Sequence, residues 1–290
     1  MAPQLLSAIE AAVSQATGAA FGASSALAAA GGCIHRSFVL EGSNGRYFVK
    51  TNERRFLDAF EAEADGLAAL RQAGVRVPRA ICRGGTGTEA FLVLEHLELR
   101  SGGDTGHLGR ALALLHASVG ASHGWHRDNY IGASVQRNRP HQDWTAFFRE
   151  ERIRPQLELA ARNGHRTLER PGEKLCERIE TLLSGHRPEP SLLHGDLWGG
   201  NAASLADGTP VLFDPAVYYG DAEADLAMTE LFGGFRPAFY AGYREIRPLD
   251  SGYAVRRELY NLYHVLNHVN LFGGGYTAQA LSLMERLLAL

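Results

Sequence analysis

The sequence predicts an α+β fold in two parts: a small β-rich part over residues 1–97 and a larger, mainly helical part over residues 98–290. Three observations predict it. Short apolar runs separated by glycine and asparagine turns crowd the first part. Segments with apolar residues at helical spacing fill most of the second. Within that second part, Leu192 to Pro215 reads as a strand, a tight polar loop, a hairpin and another strand.

Composition narrows the function classes. A chain of 290 residues, 45% hydrophobic and 21% charged, can bury a sizeable core. A net charge of -3 gives no broad basic field, so no nucleic-acid partner is expected. Cys33, Cys82 and Cys176 lie far apart, with neither a CxxC pair nor zinc-ligand spacing, which fits reduced thiols better than a disulfide framework. The Ala-rich start lacks a basic leader followed by an unbroken apolar core, and no run of eighteen apolar residues occurs, so a cytoplasmic protein without a membrane partner is expected.

In the first part, Leu5, Leu6, Ile9 and Val13 share one helical face, and Pro3 suits the first turn. Gly31 and Gly32 fall between two strands, where backbone N–H groups can approach a phosphate; taken alone, the pair fits an ordinary hairpin turn equally well. Ser37 to Leu40, the Asn44-Gly45 turn and Tyr47 to Lys50 read as a hairpin, with Lys50 at the end of the returning strand on the same face as Phe48. A helix from Phe56 to Ala73 carries Phe60, Leu67 and Leu70 at helical spacing, and Gly74 stops it. Glu61 and Glu63 are both candidates to pair with Lys50, and helical phase favours Glu63, four residues before Leu67. Ala80 to Cys82, a turn over Gly84–Gly87 and Ala90 to Leu94 add strands; Glu95-His96-Leu97 ends the last of them.

In the second part, Thr105 to Ser118 is a helix, with His116 read as a packing residue. Residues 120–142 read as a long polar loop holding Trp125, Asn129 and Tyr130. Asp143 caps a helix running to about Ala161, which Pro155 kinks. A further helix covers Glu173 to Leu183. Acids at Asp221, Glu223 and Asp225 suit the first turn of a helix, and Asp225 is placed to reach back to the polar loop before it. Helices over Tyr253–Val269 and Thr277–Leu288 close the chain; His264 and His268 stand four apart without the further ligands of a zinc site.

The chemistry lies in Leu192 to Pro215. Asp196 and Asn201 stand five apart on the loop, and Asp214 follows the apolar run Val211 to Phe213. A kinase catalytic loop has this layout: His-x-Asp, an Asn five beyond the Asp, then a metal-binding Asp on the next hairpin. Such oxygens can orient a hydroxyl nucleophile and hold magnesium against ATP phosphates. The competing account is that Asp196 and Asn201 merely cap turns.

GGCI at 31–34, YFVK at 47–50, DNYIG at 128–132, HGDLWGGN at 194–201, FDPAVYYGDAEADLAM at 213–228, FGGF at 232–235 and LNHVNLFGGGY at 266–276 give the chain its resemblance. Over nearly its whole length it resembles the fructosamine kinase/ketosamine-3-kinase family, within the aminoglycoside and choline kinase-like group. The resemblance implies a two-lobed, protein-kinase-like fold. It also implies phosphorylation, by ATP with Mg2+, of the 3-hydroxyl of a ketosamine on lysine or a small amine. The 3-phosphate then decomposes and frees the amine.

By the same resemblance, Asp196 is the catalytic base, and Asn201 and Asp214 hold magnesium. Lys50 with Glu63 positions the phosphates, Gly31 and Gly32 cover them, and Glu95 to Leu97 meets adenine. Trp198 and His268 touch the sugar, while His194 and Asp225 support the catalytic loop. Cys33 sits where the family often carries a cysteine, either as a redox switch through an intermolecular disulfide or as a plain small residue. Pro215-Ala216 replaces the Phe-Gly of protein kinases, so a phenylalanine-flip switch is not expected. The implied partner is a glycated lysine or small glycated amine; both a monomer and a homodimer are compatible. The alternatives are a small-molecule kinase for an aminoglycoside, choline or homoserine, and a non-catalytic binding module. The presence of Lys50, Asp196 and Asp214 disfavours the latter.

Overall fold

The computed structural model describes residues 1–29, 34–100 and 103–290; the expectations placed on Gly31, Gly32 and Cys33 lie outside the described residues. In chain order the elements are α1 (Pro3–Thr17), β1 (Ala23–Ala29), β2 (Arg36–Gly42), β3 (Gly45–Glu53), α2 (Leu57–Gln72), β4 (Ala80–Gly85), β5 (Glu89–Glu95) and α3 (Thr105–Leu115). Next come β6 (Asn129–Ile131), β7 (Ser134–Gln136), α4 (Trp144–Phe147), α5 (Arg154–Arg162), α6 (Glu169–Leu182), β8 (Ser191–Leu193), β9 (Ala202–Ser204) and β10 (Pro210–Leu212). The chain ends with β11 (Tyr218–Gly220), α7 (Ala222–Leu231), α8 (Pro237–Arg244), α9 (Tyr253–Phe272) and α10 (Gly275–Ala289). They form two compact units, one of Met1–Gly103 with Ala203–Asp214, the other of Asp104–Ala202 with Pro215–Leu290.

The first unit is built on an antiparallel sheet of order β1-β2-β3-β5-β4. Leu5, Ile9 and Val13 of α1 bury their side chains with Phe21, Leu40, Val49, Phe91 and Val93. Each such burial contributes about 1.5–3 kcal/mol. β3 is the middle strand and continues to Glu53, so Lys50 lies inside a ladder, opposite Ser37 on β2 and Leu92 on β5, rather than at a strand end. Helix α2 stops at Gly74, whose φ of +87° suits glycine and whose N–H donates to the Arg71 carbonyl.

Residues 203–214 join this unit through backbone bonds. Arg100 and Ser204 bridge antiparallel, and the Leu212 N–H donates to the Arg76 carbonyl at 3.0 Å.

The second unit has a largely helical core. Phe147, Phe148, Leu175, Ile179, Tyr260, Leu266, Leu283 and Leu287 are buried in one cluster. Strands β8 and β11 pair antiparallel, with Leu193 opposite Tyr218. Helices α3 and α8 touch backbone to backbone: a Cβ on Gly109 would meet the Phe239 carbonyl oxygen at 2.0 Å, and one on Gly242 the Gly106 oxygen at 2.3 Å.

Three sequence expectations change here. The stretch 120–142 is not structureless: it contains the β6–β7 hairpin and isolated bridges His123–His141 and Gly124–Tyr219. Its Asn129 is internal wiring, donating to the Val217 carbonyl at 2.7 Å and accepting from Gln136 at 2.8 Å.

The helix capped by Asp143 is broken by a π turn over Phe148–Ile153 just before Pro155. Proline has no N–H to give the carbonyl four residues back, and a wide turn accommodates that loss. Arg152 on this turn is fully buried, 3.9 Å over the Tyr218 ring and 4.6 Å over Phe147. Helix α8, started by Pro237, was not foreseen at all; it is short, and its packing depends on the distant glycine Gly109. Among the described residues no helix is long and apolar enough to cross a membrane.

Candidate active site

The phosphate-side candidates lie in the first unit. The Lys50 ammonium donates to Glu63 Oε1 at 2.7 Å and to Asp214 Oδ1 at 2.6 Å. Helical phase decides the glutamate: Glu63, not Glu61, makes the ion pair, and its side chain is 11% exposed. Burial alone would lower the Lys50 pKa, but the Asp214 and Glu63 carboxylates outweigh it and raise it well above the ordinary lysine value. The same burial pushes Glu63 upward, against the pull of Lys50 and with the repulsion of Asp214. Lys50 therefore stays charged.

Asp214 has φ of 57°, and among the described residues it is the only non-glycine with positive φ. This left-handed backbone before a proline costs about 1–3 kcal/mol, strain that concentrates where a side chain must be aimed.

At the end of β5, Glu95 is committed within the chain. Arg76 grips both its oxygens, at 2.8 and 3.0 Å, and the Arg79 N–H donates to it at 3.2 Å. Those bonds hold its carboxyl below the ordinary glutamate value. Leu97 is half-buried just beyond.

The acceptor-side candidates lie in the second unit, on the loop that follows β8. Asp225, at the start of α7, reaches back to it: Oδ2 accepts the His194 N–H at 2.6 Å and Oδ1 the Gly195 N–H at 2.8 Å. His116 Nε2 donates to the same carboxylate at 3.2 Å, and its Nδ1 is 2.9 Å from the Tyr243 hydroxyl. Burial would raise the Asp225 pKa, yet the His116 bond and the backbone donors bring it below the ordinary aspartate value.

Gly195 has φ of +82°, and a Cβ there would lie 1.9 Å from the Ala216 carbonyl oxygen. Only glycine fits. The Asp196 N–H donates to His194 Nδ1 at 3.3 Å. Asn201 closes the loop, its amide donating to the Asp196 carbonyl at 2.8 Å. Trp198 projects from the same turn, 42% exposed.

His268 stands apart on α9. Its Nδ1 donates to the His264 carbonyl at 2.8 Å, and its ring is hemmed by Phe232 at 4.8 Å, Tyr276 at 5.0 Å and Phe272 at 5.5 Å. Burial lowers its pKa.

A fructosamine kinase family model matches residues 5–290. The chain belongs to this family. A probable ketoamine kinase of Synechocystis sp. is 45% identical over 280 residues, covering 95% of this chain and 94% of that protein. The crystal structure of a candidate fructosamine-3-kinase from Haemophilus somnus 129PT superposes with a TM-score of 0.90 at 29% identity, over 98% of both chains. Choline kinase LicA from Streptococcus pneumoniae, at 15% identity and a TM-score of 0.64 over 98% of both chains, shares the fold alone. The fold is thus α+β and protein-kinase-like.

In this fructosamine kinase family member, Asn201 and Asp214 each carry a side-chain oxygen of the kind that hard divalent cations take. Asn201 spends its amide nitrogen on the Asp196 carbonyl, which leaves its Oδ1 for a ligand. Asp214 gives Oδ1 to Lys50 and remains 38% exposed at its side chain.

Sequence reasoning missed several partners. His35 packs its ring on Phe60 at 4.8 Å, and its Nδ1 is 2.9 Å from the Asn52 amide. Burial, then Lys50, lower its pKa to about 4 against a weaker pull from Asp214. Its position after the glycine pair was the only available signal.

His186, Asp221 and Glu223 bring metal-type atoms within 4.8 Å of one another. Arg256 already supplies the positive charge there, gripping Glu223 at 2.6 and 2.8 Å. Asp221 caps α7 and takes bonds from His186 and Tyr260.

Proposed function

We propose that this protein is a cytoplasmic ketosamine-3-kinase. It transfers the γ-phosphoryl group of ATP to the 3-hydroxyl of a ketosamine carried on lysine or on a small amine. The observation that carries this reading is the buried Lys50 ammonium held by both Glu63 and Asp214, in a chain that belongs to the fructosamine kinase family.

The roles follow from that arrangement. Asp196 orients the 3-hydroxyl and accepts its proton as the oxygen attacks phosphorus and the bond to ADP breaks. Lys50, fixed in direction and charge by two carboxylates, binds the nucleotide phosphates. Asn201 and Asp214 would hold magnesium, which when bound neutralises phosphate charge. The backbone from Glu95 to Leu97 takes adenine. Trp198 and His268 would meet the sugar. Little of the acceleration is covalent; positioning and charge stabilisation supply it.

ADP release with Mg-ATP, measured across ribulose-lysine, fructose-lysine, kanamycin and choline, tests the reading. Turnover on the ketosamines, giving a phosphate product that releases free lysine, is expected. Turnover on kanamycin or choline alone would keep a kinase and sink the ketosamine assignment. In the same assay Asp196→Ala should lower kcat by about 10² to 10⁴; near-parental turnover would remove Asp196 from the mechanism.

A further inference from the structure

We infer that Arg76 is a positioning residue that ties the nucleotide-base end of the first unit to strand β10, which leads into Asp214. The inference rests on the kinase reading for the identity of the ligand, but its structural half stands alone.

Two links meet at this residue. Its guanidinium grips Glu95 with two bonds, at 2.8 and 3.0 Å, and donates to the Val77 carbonyl at 2.8 Å. Its own carbonyl accepts the Leu212 N–H at 3.0 Å. Glu95 is the last residue of β5, and Leu212 is the last of β10, two residues before Asp214.

The geometry sets both ends at once. Glu95 is stapled to the segment entering β4 three ways: by Arg76, by the Arg79 N–H on its carboxylate, and by its own N–H on the Arg79 carbonyl at 2.8 Å. The bidentate fork fixes the plane of the guanidinium as well as its distance. That fixes where the Arg76 backbone sits, and hence where its carbonyl meets β10. Both side chains remain about one-third exposed, at 33% and 31%, so the pair adds little global stability. Its value is registry. A lysine at 76 would keep the charge and lose the fork.

Two measurements test this. The first is amide hydrogen exchange, which needs no ligand. In Arg76→Ala, the Leu212 amide should exchange at least about tenfold faster, while amides of the β2–β3 ladder stay at parental rates. Unchanged Leu212 exchange, or a uniform rise across the sheet, would overturn the coupling.

The second is binding of a non-hydrolysable ATP analogue with a β,γ-imido bridge, with and without Mg2+. Arg76→Ala and Glu95→Gln should both raise the analogue's Kd about 5- to 20-fold and reduce the gain that Mg2+ confers. Arg76→Lys should fall between them and the parent. Loss of folded protein with parental Kd in what remains would mean a merely structural role. If the parent itself binds no analogue, the kinase reading fails, and the exchange result still decides the tie between Glu95 and β10.

Discussion

Lys50 in the first unit is held by charge; the Asp196 loop in the second is held by backbone amides. Around Lys50, one ammonium faces two carboxylates, and among the described residues its ammonium's partners are both side chains. Around the loop, Asp225 accepts the N–H groups of His194 and Gly195, and the Asn201 amide grips the Asp196 carbonyl. A charge cluster sets a potential and tolerates small shifts of atoms, whereas a backbone clamp sets a position and tolerates none. The difference matches what the two proposed roles need. Phosphates respond to field, while a hydroxyl must be aimed within a fraction of an ångström.

Substitutions can break or sharpen that contrast. The largest effect is expected at the clamp. Asp225→Ala leaves two buried N–H groups and the His116 ring without their acceptor, and should cost about 3–5 kcal/mol of stability together with most turnover. Urea unfolding with a parallel rate assay measures both; a stable, active variant would show that the loop holds itself.

A smaller and different effect is expected at the charge cluster. Glu63→Gln keeps the shape and leaves Lys50 its bond to Asp214. It should raise KM for ATP roughly tenfold, about 1.4 kcal/mol, the charge part of one charge-assisted bond. The melting temperature should move little, because a buried carboxylate is no longer desolvated. A large loss of stability with unchanged KM would make Glu63 a folding residue only.

The smallest effect is a pH dependence. His35 is neutral in the fold, its pKa moved from 6.5 to about 4. A base with a depressed folded pKa contributes stability that is intact above its unfolded value. That contribution drains away as pH falls from 6.5 towards 4. Replacing it in His35→Asn should flatten the fall of melting temperature over that window. His123, also near 4, would keep an acid response in the second unit over the same window, while Asp225, held below the ordinary aspartate value, adds one only below about 3.8. An identical profile in the variant would remove His35 from the acid response.

Much of this was legible because it is local. The Asn44-Gly45 turn between Ser37–Leu40 and Tyr47–Lys50 gave the hairpin, the stop at Gly74 ended α2, and helical phase preferred Glu63 over Glu61. The spacing of Asp196, Asn201 and Asp214 marked the candidate site. What stayed hidden depends on residues far apart in sequence. His116 meets Asp225 across 109 positions, and α8 packs through Gly242 on a helix more than a hundred residues earlier. Nothing in the sequence singles out Arg76, since neither Glu95 nor Leu212 announces its bonds. Pro155 was read as a kink, but that its missing N–H would be met by a π turn was not.

The return of residues 203–214 to the first unit has a consequence for how the chain is made. Lys50 and its aspartate are 164 positions apart, and the segment bearing that aspartate leaves the ribosome long after the five-stranded sheet of the unit it joins. At about 5–20 residues per second the delay is roughly 10–30 s. Throughout it, the first unit lacks its β9–β10 strand pair and one counter-charge, and Lys50 has Glu63 but not yet Asp214. Completion of the first unit therefore waits on translation of most of the second, and a nascent chain stalled before residue 214 would be a distinctive client for chaperones.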